Sequence, residues 1–306
     1  MSISIKEDNL IYPYFIREGV NKKSAIKSFP GVYRFSIDKL LLDIEETRQL
    51  GIKKILLFGI PVKKSSDGAG AYAKNNVITA AIKKIKQEFN DIIVITDVCL
   101  CAYTTHGHCR VLKKDKKTPD NKKTLEALSK IALSHAEAGS DWVAPSAMAK
   151  NQVSAIRGTL NKNGFKDKKI MGYSAKFASN FYGPFRNAAD SSPRFGDRRS
   201  YQLDFTDGES ALKKIADDIK QGADMVMVKP ALGYLDIIRE ARQRFDYPLA
   251  AYNVSGEYAF VKYGARQGLW DEKKMVFEIL SSIRRAGADL IITYHAKDVA
   301  KWLKEQ

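Results

Sequence analysis

The sequence predicts a single-domain α/β protein, a (β/α)8 TIM barrel spanning residues 1–306. Short apolar runs rich in Ile and Val alternate with longer stretches at helical spacing, and no Pro/Gly/Ser-rich linker marks a second domain. Repeated strand and helix units give a parallel sheet, and eight of them favour the closed form. An open, Rossmann-like sheet is the alternative, but no GxGxxG follows the first strand.

Seven apolar runs are expected to be strands buried on both faces. In chain order they are residues 53–60, 91–100, 141–147, 168–176, 223–230, 247–255 and 288–296. An eighth strand is expected near IYPYFI or GVYRF. The intervening stretches, several of which end in Gly as helix C-caps do, are predicted helices. They include SIDKLLLDIEETRQLG, NKKTLEALSKIALSHAEAGS, NQVSAIRGTLNKNG, ESALKKIADDIKQG and YLDIIREARQRF.

Composition excludes several classes of protein. With 44% hydrophobic residues, 20 Gly and 9 Pro, the chain is neither disordered nor collagen-like. Its first residues, MSISIKEDNLIYPYF, show no signal peptide, and no apolar run reaches the length of a membrane span. The three cysteines lie within eleven residues, which excludes a disulfide framework and indicates a reducing compartment. We therefore expect a cytoplasmic protein.

The net charge of +16, from 51 basic and 35 acidic residues, raises the alternative of a nucleic-acid-binding protein. The lysines, however, lie on helical faces or in loops such as KKDKKTPDNKK, without the interleaved aromatic residues of a single-strand binder. A solvated surface is the preferred interpretation. We expect neither nucleic acid nor a membrane as partner.

The motif DVCLCAYTTHGHC gathers Cys99, Cys101 and Cys109 at the end of a predicted strand. Three thiolates leave a tetrahedral Zn²⁺ one open position, which is typical of a catalytic site. His106 and His108 leave two alternatives: either imidazole is a fourth ligand, or it supports the site from outside or relays protons. Three buried, inert cysteines are the other interpretation, but their clustering favours zinc.

Lys176 and Lys229 each close an apolar strand. Desolvation and a neighbouring cation lower the pKa of such a lysine, and the neutral amine can then form a Schiff base with a ketone. Each lysine would depress the pKa of the other. A single lysine of this kind is usually a salt-bridge partner or snorkels to solvent, but two at parallel strand ends favour catalysis.

Further polar residues lie at or beyond other strand ends, where barrel enzymes place their chemistry. They are Asp97, Ser146, Ser255 and Tyr294. Arg186 and the pair Arg198 and Arg199 follow the predicted strand 168–176, in a Gly-, Pro- and Ser-containing segment at about 183–208 that is predicted to be an active-site lid. Guanidinium groups there could bind an acidic substrate, with surface salt bridges as the alternative.

Five long segments carry a family resemblance. They are VITDVCLCAYTTHGHC, YSAKFASNFYGPFRNAADSSP, FGDRRSYQ, MVMVKPALGYLDIIRE and AYNVSGEYA. In this order, and with NLIYPYFIREG and ADLIITYHAKDVAKWL at the two ends, they resemble the porphobilinogen synthase (δ-aminolevulinic acid dehydratase) family over essentially the whole chain. A lone Cys-x-Cys or VKP would be weak, whereas this ordered set is specific.

The resemblance implies a (β/α)8 barrel that condenses two molecules of 5-aminolevulinate into porphobilinogen, with loss of two waters, in tetrapyrrole and haem biosynthesis. Lys229 matches the lysine that holds the first substrate as an imine, and Lys176 the one that holds the second. The cysteines match the ligands of the zinc-dependent branch. Further matches are an active-site carboxylate, Asp97; lid residues that receive one substrate carboxylate, Arg186, Arg198 and Gln202; and a pair that binds the other, Ser255 and Tyr294. Ser146 is expected to contact substrate.

The sequence departs from the family at several positions. Family members commonly begin with an extended arm, and almost nothing precedes NLIYPYF, so a homo-oligomer smaller than the family's octamer is expected, a dimer or hexamer. Lys214 stands where many relatives have a glutamate for an allosteric Mg²⁺, which a lysine cannot ligate. Ala147 and Lys150 replace residues that are often acidic, and Arg110 replaces a usual Gly beside the last cysteine.

Two other functions compete with this one. A class I aldolase or another Schiff-base lyase on the same barrel would account for Lys229 but not for the cysteines or the second lysine. A non-catalytic relative that binds zinc, or a partner through its basic surface, would be favoured by loss of Lys229 or of a cysteine, and neither is lost.

Overall fold

Eight parallel strands close into a barrel in the structure, a computed structural model that describes residues 4–115 and 117–305. The barrel strands are β1 (Leu10–Arg17), β4 (Lys54–Ile60), β5 (Ile93–Val98), β6 (Trp142–Pro145), β7 (Lys169–Lys176), β8 (Met225–Lys229), β9 (Leu249–Asn253) and β10 (Leu290–Thr293). Two short strands, β2 (Lys23–Ala25) and β3 (Tyr33–Phe35), extend the sheet beyond β1. The predicted (β/α)8 barrel is confirmed.

The barrel closes where β1 pairs with β10, with Leu10 opposite Ile291. Each other barrel strand pairs in parallel with the next barrel strand along the chain, as right-handed βα units require. The eighth strand is therefore IYPYFI. The segment GVYRF supplies β3, which pairs in parallel with the end of β1 and antiparallel to β2 outside the closed barrel.

The predicted helices are present around the barrel. Helices in chain order are α1 (Ile37–Gln49), α2 (Val77–Glu88), α3 (Asn121–Ala138), α4 (Gln152–Lys162), α5 (Gly183–Ala188), α6 (Gly208–Lys220), α7 (Leu235–Arg244), α8 (Ser255–Arg266), α9 (Glu272–Ala286) and α10 (Ala296–Lys304). Helix α3 begins at an Asp120 cap and ends at Gly139 with φ of +106°, a left-handed conformation that favours glycine. Helix α8 was not among the predicted helices, since its first residue, Ser255, was predicted to end a strand.

Apolar side chains fill two layers. One lies inside the barrel and includes Phe15, Ile95 and Met227, and the other lies between strands and helices and includes Ile44 and Leu128. Strands buried on both faces explain why these runs are almost continuously apolar instead of alternating. No helix within the described ranges has both the length and the apolar character needed to cross a membrane.

A bulge in β7 changes which side chains face the barrel interior. The register between β7 and β8 shifts between Gly172 and Ala175, and beyond the shift Lys176 pairs with Lys229. Tyr173 belongs to the apolar cluster inside the barrel, whereas Ala175 belongs to the outer layer. In a regular strand, residues three positions apart, such as Tyr173 and Lys176, point to opposite faces. The extra residue of the bulge between them puts both side chains on the same face. Tyr173 and Lys176 consequently both point inward.

Candidate active site

The predicted site residues meet at one end of the barrel. Asp97 lies near the end of β5, Lys176 and Lys229 end β7 and β8, and Ser146 and Tyr294 directly follow β6 and β10. All these strands are parallel, so their carboxyl ends form a single face, the one on which barrel enzymes carry their chemistry. Ser255 joins this face as the first residue of α8.

The two lysines lie side by side and are both buried. Their backbones are directly paired in the β7 and β8 register. Lys176 Nζ donates a hydrogen bond of 2.6 Å to the carbonyl oxygen of Ser146. The ring centroid of Tyr173 lies 5.5 Å from Lys176 Nζ and 5.0 Å from Lys229 Nζ, so one aromatic ring contacts both amino groups.

Lys229 has an aromatic cage around its amino group. The ring centroids of Tyr252, Tyr173, Phe185 and Tyr182 lie 4.1, 5.0, 5.1 and 5.4 Å from its Nζ. Burial, followed by repulsion from Lys176, lowers the pKa of Lys229 well below its usual value. A neutral amine is the nucleophilic form, and the surrounding rings can stabilise a cation formed from it.

Asp97 is a buried carboxylate whose charge interacts with both lysines. Burial raises its pKa to about 6, although Lys176, a hydrogen bond from Ser146 and Lys229 all act in the opposite direction. Its Oδ1 is buried without a hydrogen-bond partner. A carboxylate with this pKa and a free oxygen can accept and return a proton near neutral pH.

The cysteines form a compact three-sulfur cluster. The Sγ atoms of Cys99, Cys101 and Cys109 all lie within 4.8 Å of one another, that of Cys99 being 3.5 Å from that of Cys101. All three are buried and free of disulfides. Tetrahedral zinc with bonds of about 2.3 Å separates its sulfur ligands by about 3.8 Å, so the cluster fits the ion.

The two histidines of the cysteine loop are engaged elsewhere. His108 Nδ1 lies 3.2 Å from Tyr201 Oη, and its Nε2 lies 3.0 Å from the Phe195 carbonyl oxygen. His106 Nε2 lies 3.1 Å from the Ser66 carbonyl oxygen, and its Nδ1 accepts a hydrogen bond from the His108 backbone. Within the described residues, the sulfur cluster therefore offers three thiols and no imidazole ligand, which leaves a fourth position open.

The predicted lid segment carries a cavity of about 540 Å³ with Arg186, Arg198, Arg199 and Gln202 in its lining. The Nε atoms of Arg186 and Arg198 and both side-chain polar atoms of Gln202 are buried without partners. Among the described residues, no carboxylate forms an ion pair with Arg186 or Arg198. Burial and repulsion from Arg198 lower the pKa of Arg186. A bound carboxylate would satisfy these groups.

The predicted lid segment and the cysteine loop are hydrogen-bonded to each other. Arg198 donates to the Gly107 carbonyl oxygen at 2.9 Å, and the Arg194 backbone N–H donates to the His106 carbonyl oxygen at 3.1 Å. The contact of His108 with the Phe195 carbonyl adds a third link. The segment that lines the arginine cavity is thus packed directly against the loop that carries the cysteines.

Ser255 and Tyr294 lie on the same face, but each hydroxyl has a protein partner. Ser255 Oγ accepts a 3.0 Å hydrogen bond from the Phe185 backbone and donates one of 3.1 Å to the Phe181 carbonyl. Tyr294 Oη lies 3.0 Å from Tyr252 Oη. A substrate carboxylate at this pair has to compete with those partners.

The residues that depart from the family pattern have identifiable contacts. Arg110 donates to the Met148 carbonyl oxygen, and its guanidinium lies 4.9 Å from the ring centroid of Tyr201, so it does not enter the sulfur cluster. Lys214 forms an ion pair with the fully buried Asp218. Of the two changed positions after β6, Ala147 is fully buried and Lys150 is exposed.

Sequence reasoning missed the aromatic residues around the lysines. Tyr252 could have been found, because the inward face of the predicted strand 247–255 includes it by simple alternation. Tyr173 could not, because alternation places it opposite Lys176 and only the bulge reverses this. Phe185, in the predicted lid region, and Tyr182, directly before it, contact Lys229 from a segment about fifty residues away in sequence.

Comparison with known proteins places this site in a family. The family model described as delta-aminolevulinic acid dehydratase matches residues 1–302. The chain belongs to the delta-aminolevulinic acid dehydratase family. It is therefore a 5-aminolevulinate dehydratase, a lyase.

Individual delta-aminolevulinic acid dehydratases are similar over nearly the whole chain. The enzyme of Archaeoglobus fulgidus is 50% identical over 300 residues, covering 98% of this chain and 92% of its own. That of Methanothermus sociabilis is 51% identical over 298 residues, covering 97% and 92%. The crystal structure of the Toxoplasma gondii ME49 enzyme in complex with porphobilinogen superimposes with a TM-score of 0.97 at 40% identity, covering 99% of this chain and 87% of that one.

Proposed function

We propose that the chain condenses two molecules of 5-aminolevulinate into porphobilinogen through Schiff bases at Lys176 and Lys229, with Zn²⁺ held by the three cysteines. The observation that carries the proposal is the pair of buried lysines, side by side at neighbouring strand ends. A class I aldolase mechanism needs one such lysine. Two adjacent amines can hold two keto acids against each other, which removes much of the entropic cost of a bimolecular condensation.

Lys229 is the nucleophile for the first substrate. Its lowered pKa provides the neutral amine that attacks the ketone, and the imine then makes the adjacent carbon acidic. Asp97, with a pKa of about 6, accepts or returns protons beside it. Lys176 holds the second substrate, and Ser146 holds the amino group of Lys176 in place by the 2.6 Å hydrogen bond.

Cys99, Cys101 and Cys109 would hold the zinc, since their sulfurs fit tetrahedral ligation and leave one position for substrate or water. When bound, zinc would supply Lewis acidity and lower the pKa of a bound water. The chain itself buries the three thiols, and none of them forms a disulfide. Free thiols accord with a cytoplasmic location, because the cytoplasm is reducing.

The substrate carboxylates are received at two places. Arg186, Arg198 and Gln202 have unpartnered polar atoms that suit one carboxylate under the lid at 183–208. Ser255 and Tyr294 receive the other by exchanging their present hydrogen bonds for bonds to it. The hydroxyl of Ser255 is bonded to the backbone at Phe181 and Phe185, so this exchange also loosens the start of the lid segment.

The experiment is porphobilinogen formation from 5-aminolevulinate in reducing buffer, combined with borohydride trapping and mass spectrometry. Lys229→Ala is expected to abolish turnover and trapped adduct while the circular dichroism spectrum stays that of the wild type, because the nucleophile is lost and the fold is not. Lys169→Ala, at the exposed start of β7, is the matched control and keeps full activity. Full activity of Lys229→Ala would disprove the imine assignment.

Metal dependence is tested on the same protein. A chelator is expected to remove activity, zinc to restore it, and elemental analysis to find zinc in the wild type and little in Cys109→Ser, because one of three thiolate ligands is gone. Equal zinc in both proteins, or activity insensitive to chelation after the metal has been shown to leave, would contradict the three-cysteine site.

A further inference from the structure

Tyr173 has a buried hydroxyl that nothing in the protein satisfies. Its side chain is fully buried, and its Oη has no hydrogen-bond partner. Leaving a buried hydroxyl unpaired costs free energy, so such a group in a native site calls for an explanation. A ligand that accepts a hydrogen bond from it is the explanation that the surroundings favour.

Neighbouring tyrosines of the same barrel face are satisfied. Tyr182 donates to the carbonyl oxygens of Phe177 and Lys229 at 2.8 and 3.1 Å. Tyr252 and Tyr294 bond to each other at 3.0 Å. Of these four tyrosines, only Tyr173 has a hydroxyl without a partner.

Tyr173 faces the barrel interior at the bulge in β7. Met171 and Tyr173 both belong to the inner apolar cluster, and the extra residue turns Lys176 inward as well, so that the Tyr173 ring contacts both lysine amines. The ring centroid is nearer to Lys229 Nζ, at 5.0 Å, than to Lys176 Nζ, at 5.5 Å. Bulges often re-aim a side chain beside an active site, and this one brings the second amine next to the ring that carries the unpartnered hydroxyl.

We propose that Tyr173 is a catalytic residue whose hydroxyl donates a hydrogen bond to the oxygen of the ketone that reacts with Lys229. The inference rests on the proposed Schiff-base function and adds to it the group that stabilises negative charge on that oxygen. Such a donor acts most strongly in the transition state, where the charge develops, and in a site that excludes water.

The step is imine formation. The Lys229 nitrogen lone pair forms a bond to the ketone carbon, and the carbonyl π pair moves to the oxygen, where the Tyr173 hydroxyl stabilises it. The oxygen takes one proton from the nitrogen and one from solvent and leaves as water, while the nitrogen lone pair forms the C=N bond of a protonated imine. Tyr173 ends the step still protonated, in accord with burial, which raises its pKa well above the usual value.

Tyr173→Phe tests the proposal, because it removes one oxygen atom and keeps the ring against both lysines. We expect kcat to fall about 100-fold, as for loss of one oxyanion donor, with KM changed by no more than about twofold. Single-turnover borohydride trapping at Lys229 is expected to slow by a similar factor. The melting temperature should stay near that of the wild type, because the hydroxyl has no protein partner to lose.

The matched control is Tyr14→Phe. Tyr14 is equally buried but faces the helices, where its hydroxyl bonds to Thr47 at 2.6 Å and to Asp43 at 2.9 Å. This variant should have a lower melting temperature than the wild type and keep its kcat, the opposite pattern to Tyr173→Phe.

Three results would overturn the assignment of Tyr173. They are a wild-type kcat and trapping rate in Tyr173→Phe, a loss confined to KM, or a melting temperature as depressed as that of Tyr14→Phe, which would show a structural partner. Absence of any trapped adduct at Lys229 in the wild-type enzyme is a different result, since it would remove the proposed Schiff base itself.

Discussion

At the scale of single residues, His135 makes stability depend on pH. This histidine of α3 is buried, its Nδ1 lies 3.0 Å from Thr96 Oγ1, and burial lowers its pKa from 6.5 to about 3. Below pH 6.5 this histidine is protonated in the unfolded chain but stays neutral in the folded chain. The contribution of His135 to the free energy of unfolding is therefore lost as the pH falls below 6.5. Between pH 7 and pH 5 it amounts to about 2 kcal/mol.

Urea unfolding at both pH values measures this effect. His135→Asn keeps a donor or acceptor for Thr96 but does not titrate, so its stability should fall by about 2 kcal/mol less than that of the wild type. All other ionisable groups are common to the two proteins and cancel in the comparison. Parallel losses would show that His135 is not the group responsible.

The positions of the candidate site residues at strand ends could be predicted from sequence, whereas their contacts could not. Lys176 and Lys229 stand at the ends of apolar runs, and the cysteines are close neighbours in the chain, so local pattern was enough. The engagement of His108 with Phe195 and Tyr201 depends on a loop about ninety residues away, so its role stayed open until the structure placed that loop. Periodicity carries no information about such contacts.

At the scale of elements, an ion pair supports the bulge that turns Lys176 inward. A Cβ on Gly172 would lie 3.2 Å from Asp218 Oδ2, so this fully buried carboxylate packs directly against the bulge, and Lys214 neutralises it. Lys214→Met is expected to destabilise the fold by about 3 kcal/mol, because it leaves a buried charge without its partner. Because the bulge orients the amine, kcat should fall as well.

Chemical denaturation and steady-state kinetics give the two readouts. Lys213→Met, at the exposed neighbouring position, is the control and should resemble the wild type. Adding Asp218→Asn to Lys214→Met removes the unpaired charge and is expected to recover most of the stability. If the single variant unfolds like the wild type, the pair does not hold the bulge.

Element type and order were predictable, and the errors are local. Either IYPYFI or GVYRF could have been the eighth strand, because both segments are short and apolar. The pairing of seven residues of β1 with β4 identifies IYPYFI as the barrel strand. Helix α8 begins immediately after β9, where a Ser within a strand-like run gave no sign of a boundary. Boundaries depend on long-range pairing more than on propensity.

At the scale of the whole molecule, assembly stays a prediction. A homo-oligomer is expected, and size-exclusion chromatography with light scattering on the full chain measures its mass. The expected mass is two or more times 34.3 kDa. The mass of a single chain at every protein concentration would contradict the expectation.

The hydrogen bonds between the cysteine loop and the arginine-bearing segment also make two binding events interdependent. Gly107 leaves no room for a Cβ against the Ser192 carbonyl oxygen, so the two segments touch backbone to backbone where Arg198 crosses between them. Whatever orders one segment lowers the entropy still to be lost in ordering the other. We therefore expect a ligand that orders the sulfur cluster and an acid that occupies the guanidinium groups to raise each other's affinity, and thermodynamic reciprocity makes the two factors equal.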